Sequence, residues 1–583
     1  MAHIAMAKNK RRVGIIGGGP SGLFMYKRLI ESGIDDLEIE IFERKQQLGA
    51  GMPYSDEGAN KEHITNVSAN EIPQIVTSIH EWVFTLPQET LNTYNIIPEK
   101  FNEYKVLPRL LFGQYLTDQF TLLQDNATQA GITTLIHKGI EVTDVIDKSE
   151  IDQVWVECEG IELVAFNEVI ICTGHNWPKK HEGTISGYYD SPYPPAKLAL
   201  QLNHSVAIKG SSLTAIDAIR TLARYNGTFS EGNNGMLKYN INADSLDFKM
   251  VMHSRSGLLP AVRFHLEDSH LQNSSLLTQD QIDEHILNND GFLSLDYVFE
   301  KDFKDLFKDK DPQFYARVKD MDIEEFVDVM MGYREDADPF KLLRAEYGEA
   351  EKSIRRHESV YWKEMLAVLS FAMNYPAKYL SAEDMLRLQK VLMPLISIVI
   401  AFIPQTSCRE LLALHEGGRL DIVGVGADST VEPEENGGAT YYFKDVNNVE
   451  HADYYKTFVD CVGQPHLSYN DFPFKSLAKS KTIGPAMLQF RSVDDGKDAL
   501  EDGDKNVEQI DGDYYLKVSG ITINDNFQVV DGNGIANDHI FIMAVPYIGG
   551  YNPDYSGLDF CEEASGKISK QLLESLTVKQ NYL

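Results

Sequence analysis

The residues with the clearest chemical use are three glycines, Gly17, Gly19 and Gly22, in the spacing G-x-G-x-x-G. Because glycine has no Cβ, Gly17 allows a tight turn and Gly19 lets a phosphate approach the backbone. Gly22 lets the following helix pack close to the preceding strand. The N-terminus of that helix offers free N–H groups and the positive end of its dipole to phosphate oxygens. The spacing therefore predicts a turn that binds a pyrophosphate.

The elements around this turn have the order that a dinucleotide-binding fold requires. An apolar strand is predicted at residues 13–16, a helix at 23–31 and a second strand at 37–42, which ends at Glu43. Glu43 can accept hydrogen bonds from ribose hydroxyls, and this complete unit is a much stronger signal than the glycines alone. The residues expected to bind this nucleotide are Gly17, Gly19, Pro20, Ser21, Gly22, Glu43 and Arg44.

A second, weaker unit follows further along the chain. A strand is predicted at residues 206–209 and a helix at 216–225, joined by a turn that keeps only the first glycine of the fingerprint, Gly210. Ser212 replaces the second glycine, and Ala215 occupies the third position, which the fingerprint allows. As a second unit in one chain it predicts a second nucleotide site, and an ordinary strand–helix turn is the alternative. The turn residues expected to bind this nucleotide are Gly210, Ser211, Ser212, Leu213 and Thr214.

The strand predicted at residues 248–253 ends in Ser254 and Arg255, without an acidic residue. In an NAD site an acid at this place binds the ribose 2′-hydroxyl, whereas an arginine accommodates a 2′-phosphate. Ser254 and Arg255 therefore predict NADPH rather than NADH. An exposed Arg255 without a role is the alternative.

The charge and hydropathy of the chain exclude several partners. The 583 residues suffice for two or three domains of about 100–200 residues each. The net charge of −33 argues against nucleic acid or an anionic membrane as the main partner. No uncharged apolar stretch reaches about 18 residues, and residues 391–403, the longest candidate, contain Pro394. A homo-oligomer is compatible with the sequence, which does not decide the oligomeric state.

The cysteines and the N-terminus favour a cytoplasmic protein. The five cysteines form no C-x-x-C pair, so no dithiol centre or zinc ribbon is indicated, and we expect no metal site. Cys172, Cys461 and Cys561 lie in apolar or glycine-flanked runs, for which small buried side chains are the simpler interpretation, and an odd, scattered set suits a reducing cytosol. Basic residues at 8–12 precede an apolar run, but that run is the first strand, so we expect no signal peptide. The cysteines are Cys158, Cys172, Cys408, Cys461 and Cys561.

The predicted fold class is α/β, with two Rossmann-like dinucleotide-binding domains and a large helical insertion. Residues 186–195 are rich in turn formers and are predicted to be a linker. The predicted boundaries are 10–205 for the first nucleotide domain, 206–276 and 404–465 for the second, 277–403 for the insertion and 466–583 for the return to the first domain. Apolar periodicity predicts helices in the insertion at 302–309, 312–335, 338–356, 357–374 and 381–402.

Six motifs in the chain are GGGPSG at 17–22, GAGMPYS at 49–55, LPRLLFGQYL at 107–116, CTG at 172–174, GSSLTAIDA at 210–218 and SRSGLLP at 254–260. They span most of the chain outside the insertion. Through these motifs the chain resembles the two-dinucleotide flavoproteins, and among them the FAD-NAD(P)-binding family of flavin monooxygenase-like proteins. Members with this layout include amino-acid N-hydroxylases, notably aspartate N-hydroxylases (nitrosuccinate synthases), and the family also contains urate-hydroxylase-like enzymes.

The resemblance implies FAD and a reduced nicotinamide nucleotide as cofactors, with molecular oxygen and a small molecule as substrates. It implies that Arg109 lies near the FAD and that the chain leaves the FAD domain at Thr173 and Gly174. The loop at 547–557 would then close over the flavin, and the helix after it would point its N-terminus there. Tyr54 either packs on the flavin ring or fills the core. The further residues expected at the flavin are Gly51, Tyr54, Arg109, Thr173, Gly174, Gly557 and Leu558.

The predicted reaction is N-hydroxylation of a small polar amino acid such as aspartate, through a flavin C4a-hydroperoxide. Because the cofactor carries this chemistry, no catalytic side chain is predicted, and His63, His175 and His265 are expected to be structural. An amino acid needs a carboxylate clamp, best made by arginine. The candidate substrate residues are Arg263, Arg344, Arg491 and Asn552, and for each arginine an exposed surface charge is the alternative.

Two other functions stay open. One is a carbon hydroxylase of a small heterocycle, as in the urate-hydroxylase-like relatives. The other is a flavin-bearing electron-transfer or docking protein that uses the insertion as a partner surface. A docking protein has no need of the second nucleotide turn, so that turn favours an enzyme.

Overall fold

The computed structural model describes residues 10–581 except 35, 176, 233–234, 267–275, 375, 446, 465–466 and 554–556. Lys8 and residues 554–556 of the predicted flavin-closing loop therefore lie outside the described residues. Among the helices that the structure describes, we find none that combines the length and the apolar character of a membrane span.

The first part of the chain alternates strands and helices in the predicted order. Its elements are β1 (Arg11–Ile16), α1 (Pro20–Glu31), β2 (Leu37–Glu43), β3 (Ile64–Ser68), α2 (Ile79–Val83), α3 (Gln88–Thr93), β4 (Val106–Pro108), α4 (Arg109–Gln129), β5 (Thr133–Lys138), β6 (Val142–Lys148), β7 (Gln153–Cys158), β8 (Ile161–Phe166), β9 (Glu168–Ile171) and β10 (Tyr188–Tyr189).

The second part begins the second nucleotide unit and then becomes helical. Its elements are β11 (Ser205–Lys209), α5 (Leu213–Asn226), β12 (Gly227–Glu231), β13 (Leu237–Ile241), β14 (Lys249–Ser254), α6 (Gln279–Asn288), α7 (Leu295–Asp302), α8 (Phe307–Lys310), α9 (Pro312–Val318), α10 (Ile323–Glu335), α11 (Pro339–Arg356), α12 (Tyr361–Met373), α13 (Ala382–Arg387), α14 (Met393–Ile400) and α15 (Gln405–Glu416).

The last part returns to strands and ends in a long helix. Its elements are β15 (Leu420–Gly424), β16 (Thr430–Pro433), β17 (Ala439–Lys444), β18 (Glu450–Tyr455), β19 (Thr457–Asp460), α16 (Lys475–Lys479), β20 (Pro485–Gln489), α17 (Val493–Glu501), β21 (Val507–Ile510), β22 (Asp513–Ile521), β23 (Gln528–Val530), β24 (Ala536–Ile542) and α18 (Leu558–Asn581).

Two sheets organise the molecule. The first has the strand order β23-β24-β9-β1-β2-β5 and is parallel except for the pair of β23 and β24. The second has the order β10-β19-β11-β14-β15 and is parallel throughout. The strands at both centres are apolar runs buried on their two faces, as parallel sheets covered by helices require. The predicted α/β fold with Rossmann-type sheets and a helical region is confirmed.

Residues 186–195 do more than link the two sheets. They contain β10, which pairs with β19 at the edge of the second sheet. At the other end of the chain, β24 pairs with β9, so the C-terminal part completes the first sheet.

The helical region differs from its prediction mainly where helices break. The predicted helix at 312–335 is two helices, because the Asp322 carboxylate accepts a 2.7 Å hydrogen bond from the Glu325 N–H and so caps a new start. The helix predicted from residue 357 begins at Tyr361, since His357 has a left-handed φ of +54° and caps α11. Residues 381–402 contain α13, one π-helical turn at Leu388–Leu392, and α14.

Candidate functional site

One cavity of about 760 Å³ is lined by residues of both glycine turns and of the helical region. Its volume lies in the range typical of cofactor and substrate sites, about 300–1,000 Å³. It therefore brings together most of the residues that the sequence proposes for the two nucleotides. The proposed residues that line it are Gly17, Gly19, Pro20, Ser21, Glu43, Arg44, Gly51, Tyr54, Arg109, Thr173, Gly174, Leu213, Thr214, Arg263, Gly557 and Leu558.

The first turn has no space for side chains. Gly17 has a φ of +108°, and a Cβ added there would lie 2.5 Å from the carbonyl oxygen of Cys172. A Cβ on Gly22, which does not line the cavity, would overlap the carbonyl oxygen of Gly17. At Gly19 the nearest protein atom to an added Cβ is the Cα of Gly51, at 3.3 Å. The turn is thus packed against β9 on one side and faces the cavity on the other.

Glu43 holds this turn in place from the end of β2. Its Oε2 accepts a 2.8 Å hydrogen bond from the Gly18 N–H, and its Oε1 accepts one of 2.8 Å from the Lys45 N–H. Glu43 and Arg44 both line the cavity, so the Glu43 carboxylate is placed where it could accept hydrogen bonds from a ribose. That ribose contact stays a prediction.

The exit from β9 carries polar atoms that the protein itself does not satisfy. Thr173 Oγ1 and His175 Nδ1 are buried and have no hydrogen-bond partner within the described part of the chain. Burial lowers the pKa of His175, so its ring is neutral near pH 7. A Cβ on Gly174, between these residues, would meet no atom within 4 Å. Since unpaired buried polar atoms are costly, this stretch fits a polar ligand in the cavity such as FAD.

The C-terminal helix α18 begins at the same cavity. Gly557, with a φ of +105°, and Leu558 line it, and α18 packs along α1 through Glu562, which bonds Lys27 Nζ at 3.2 Å and the Arg28 guanidinium. The N-terminus of a 24-residue helix therefore points its positive dipole end at the cavity.

The second turn contributes the start of α5. Ser212 is the N-cap residue, and Leu213 and Thr214 in the first turn of the helix line the cavity. A Cβ on Gly210 would lie 2.9 Å from the carbonyl oxygen of Cys461, and Ser211 Oγ donates a 2.8 Å hydrogen bond to the carbonyl of Leu258. The turn itself packs against the protein interior and does not line the cavity; this holds for Gly210, Ser211 and Ser212.

Ser254 and Arg255 lie at the end of β14 and outside the cavity lining. Ser254 Oγ accepts a 3.0 Å hydrogen bond from the Gly257 N–H, which shapes the loop, and the Arg255 side chain is exposed. This is the sheet edge where a dinucleotide fold contacts the adenosine ribose.

A buried polar cluster lies behind the predicted flavin residue Arg109. The Arg109 Nη1 donates a 2.5 Å hydrogen bond to Asp217 Oδ2, and the Tyr193 hydroxyl donates one of 2.8 Å to the same oxygen. Burial disfavours the charged form of Asp217, but Arg109 and the Tyr193 hydrogen bond outweigh it and lower the pKa of the carboxyl. The cluster therefore holds a charged pair between the start of α4 and the middle of α5.

His63 extends this cluster. Its Nδ1 accepts a 3.1 Å hydrogen bond from the Asn60 N–H, and its Nε2 lies 3.2 Å from the carbonyl of Asp217 and 3.1 Å from Thr221 Oγ1. Burial lowers the pKa of His63, so a neutral ring joins the two halves of the molecule.

Of the arginines proposed for substrate, Arg263 lines the cavity and is already paired. Its guanidinium donates to the Glu71 carboxylate, to the carbonyl of Asn66 and, at 2.9 Å, to Ser68 Oγ. Glu71 and Asn66 line the same cavity. Arg263 and Glu71 therefore form a buried ion pair in the cavity wall.

The other candidate substrate residues lie outside the cavity lining. Arg344 is half exposed on α11 and pairs with Glu416, and the Arg491 guanidinium lies 5.3 Å from the centre of the Phe292 ring. Asn552 is buried, and its side chain donates to the carbonyl of Ile548 at 3.4 Å. Their roles in substrate binding stay predictions.

Tyr54, Cys172 and Cys561 line the cavity. The Tyr54 ring packs edge-on against Phe112 at 4.8 Å between centres, and burial raises the Tyr54 pKa. The five cysteines are buried and free, and burial raises the pKa of Cys561 to about 12. Such a thiol is a poor nucleophile near pH 7.

Tyr193, Trp177 and Asp217 are among the residues at this site that sequence reasoning missed. Tyr193 and Trp177 line the cavity, and Asp217 anchors Arg109 and Tyr193. Asp217 lies within the GSSLTAIDA motif and Trp177 shortly after CTG, so motif position was a usable signal for both. Tyr193 lies in the segment predicted to be a linker and had no such signal.

Comparison with protein families supports the cofactor assignment. A family model described as FAD-NAD(P)-binding matches residues 14–176, and one described as YdhS-like middle domain matches residues 278–400. The first match contains the glycine turn, Glu43, Arg109 and the residues that follow β9. The predictions of FAD and a nicotinamide nucleotide as cofactors are confirmed by the first match, and the predicted NAD(P)H-dependent flavin oxidoreductase is consistent with it.

The chain is also similar to individual proteins. It is 28% identical over 470 residues to an Escherichia coli (strain K12) protein named uncharacterized protein YdhS. The aligned residues cover 80% of this chain and 86% of that protein. Among solved structures, the chain is similar to the FAD-bound cadaverine monooxygenase DfoA from Erwinia amylovora. The superposition covers 97% of this chain and 95% of the DfoA chain, at 10% identity and a TM-score of 0.46. The L-lysine 6-monooxygenase from Pseudomonas syringae covers 97% and 99%, at 12% identity and a TM-score of 0.43.

Proposed function

We propose that this chain is an FAD-dependent monooxygenase that oxidises NADPH and adds an oxygen atom to the nitrogen of a small amine. The observation that carries the proposal is the shared cavity, which is lined by residues of the first glycine turn, by Leu213 and Thr214 at the start of α5, and by the helical region. An enzyme that passes electrons from one nucleotide to another needs both nucleotides at one site, and a docking protein does not. The choice of nitrogen rests on the resemblance of the sequence motifs.

Each side of the cavity has a distinct task in this proposal. The turn at Gly17 and Gly19 and the N-terminus of α1 bind the pyrophosphate of FAD. Thr173 Oγ1 and His175 Nδ1 supply hydrogen-bonding atoms, and the N-terminus of α18 stabilises negative charge on the reduced cofactor. When bound, FAD accepts a hydride from NADPH and activates oxygen.

The helical region supplies the dry surroundings that such chemistry needs. Ala367 and Phe371 on α12, Ile400 at the end of α14 and Phe402 just after it line the cavity with apolar groups. Excluding water favours transfer of oxygen to the substrate over release as hydrogen peroxide. Aspartate stays the candidate substrate that the sequence predicts, and a carbon hydroxylase is the second candidate because an apolar wall suits a carbon acceptor equally.

The test is product analysis with the FAD-loaded protein, NADPH and air. Amines and amino acids, aspartate included, are incubated singly while oxygen uptake, hydrogen peroxide and product masses are measured. We expect at least one amine to yield a product that has gained one oxygen atom on nitrogen. Peroxide alone with every amine would reject the proposal, and ring hydroxylation of a heterocycle such as urate would replace it with the carbon-hydroxylase assignment.

The position of Arg255 predicts a coenzyme preference. The change Arg255→Ala should raise the KM for NADPH about 10- to 100-fold and leave that for NADH nearly unchanged, because a charge-assisted hydrogen bond to the 2′-phosphate contributes about 1.5–3 kcal/mol. Flavin reduction followed by stopped-flow absorbance with each coenzyme measures this. Arg356→Ala, which removes an exposed arginine on α11, is the control. An Arg255→Ala variant with unaltered use of NADPH would remove Arg255 from the site.

A further inference from the structure

The helical region and the loop before it both contribute apolar side chains to the lining of the cavity. Ala367 and Phe371 come from α12, Ile400 and Phe402 from α14 and the residues after it, and Leu266 from the segment that follows β14. All five side chains are apolar, so this part of the lining offers no group that needs a charged ligand.

Backbone hydrogen bonds fix this wall in place. The Ala261 N–H donates to the carbonyl of Ile398 at 2.9 Å, and the Arg263 N–H donates to the carbonyl of Ile403 at 2.9 Å. The ring of Phe402 also packs edge-on against Phe264, with 5.0 Å between ring centres. Backbone hydrogen bonds and the contact between Phe402 and Phe264 therefore fix the position of this surface.

The charged groups next to the wall are neutralised by the protein. Arg263 is held by Glu71, Ser68 and the carbonyl of Asn66, and its side chain is 4% exposed. Arg109 is held in the same way by Asp217. A carboxylate on the substrate would have to displace Glu71 from Arg263, which would leave one buried charge unpaired at a cost of several kcal/mol.

We propose that the substrate carries an uncharged apolar or aromatic body that packs against Phe371, Phe402 and Ala367, with the reacting amine as its main polar group. This inference rests on the proposed monooxygenase function and narrows its substrate class away from dicarboxylic amino acids. The Arg263–Glu71 pair acts as a neutral part of the wall and not as a carboxylate clamp.

Equilibrium binding to the oxidised, FAD-loaded protein tests the inference without turnover. Benzylamine and hexylamine are titrated against aspartate and lysine, and the change in flavin absorbance gives each Kd. We expect the two apolar amines to bind about tenfold tighter or more, the effect of burying one ring or alkyl chain. Tighter or equal binding of aspartate or lysine would overturn the inference, and so would the absence of binding by all four.

Two variants tie the effect to the wall. Phe371→Ala should weaken benzylamine binding about tenfold or more, and Ala367→Leu should do the same by filling the space that the ligand occupies. Phe84→Ala is the matched control, because Phe84 is 54% exposed and does not line the cavity. Unchanged benzylamine affinity in both wall variants would overturn the inference.

The two proposals fail in different ways. If apolar amines bind as expected but no oxygenated product forms with NADPH and oxygen, the monooxygenase proposal fails and the binding surface stands. If an amine is oxygenated but the substrate is a dicarboxylic amino acid, the monooxygenase proposal stands and the inference on the substrate class fails.

Discussion

A valine in place of Gly174 should weaken FAD binding about 10- to 100-fold while the protein stays folded. Gly174 lines the cavity, its φ is outside the left-handed region, and an added Cβ meets no protein atom within 4 Å. The new side chain therefore enters only the space that FAD would use, and overpacking of this kind costs about 1–3 kcal/mol. Titration of the FAD-free protein with FAD, followed by flavin fluorescence, gives the affinity.

Gly532→Val is the matched control for this change. Gly532 is an exposed turn residue with equally open space around its Cα and without a left-handed φ. We expect wild-type FAD affinity there. Gly19→Val should yield colourless protein. Because a Cβ added at Gly19 would lie 3.3 Å from the Cα of Gly51, this variant tests local packing as well as FAD binding. Full FAD content in Gly174→Val would show that the cofactor does not pass this point, and wild-type protein that stays colourless with added FAD would reject the cofactor site.

Asp217→Ala should lower the free energy of unfolding by about 3–5 kcal/mol, the typical cost of leaving one partner of a buried ion pair alone. The change leaves the Arg109 guanidinium and the Tyr193 hydroxyl without the oxygen that both contact. Urea unfolding at pH 7, followed by circular dichroism, measures the loss. The double variant Arg109→Met with Asp217→Leu should recover part of it, because apolar residues can replace a buried pair.

Arg344→Ala provides the comparison for a pair at the surface. It removes the partner of Glu416 at a position where both side chains are more than one third exposed, and such pairs contribute about 0–1 kcal/mol. Equal losses in Asp217→Ala and Arg344→Ala would contradict the structural role of the buried cluster.

The same cluster predicts the direction of a pH effect. Because the folded-state pKa of Asp217 is lowered, its contribution is fully present above the unfolded pKa of about 3.9 and is lost as the pH falls through the folded value. The neutral, buried His63, whose pKa is also lowered, contributes stability above about pH 6.5 that declines as the pH falls below that value. Both groups therefore make the protein less stable toward acid.

The parts of the site that the sequence predicted are those encoded by local spacing. The three glycines, the helix after them and Glu43 lie within one short stretch, and each has a backbone role that glycine or an acid alone can fill. The pairing of β1 with β2 in the first sheet follows from the same local pattern, since β1 ends in a buried apolar run and β2, after α1, alternates apolar and acidic residues.

The parts that escaped prediction depend on contacts between distant segments. Nothing near Arg263 in the sequence indicates its ion pair with Glu71, and its role as a carboxylate clamp stays a prediction. The sequence likewise shows Asp217 only as a residue of a predicted helix, because its contact with Arg109 depends on the packing of α4. The helix break at Asp322 is a local signal, an N-cap, that apolar periodicity alone did not reveal.

The place of the helical region in the chain has a consequence for how such proteins diversify. It leaves the second sheet after β14 and returns to the neighbouring parallel strand β15, so both of its ends are anchored on adjacent strands. Grafting residues 278–400 from a related chain would leave the register of both sheets and both glycine turns untouched. Under the proposed function, such an exchange would alter the apolar wall of the cavity and keep both glycine turns.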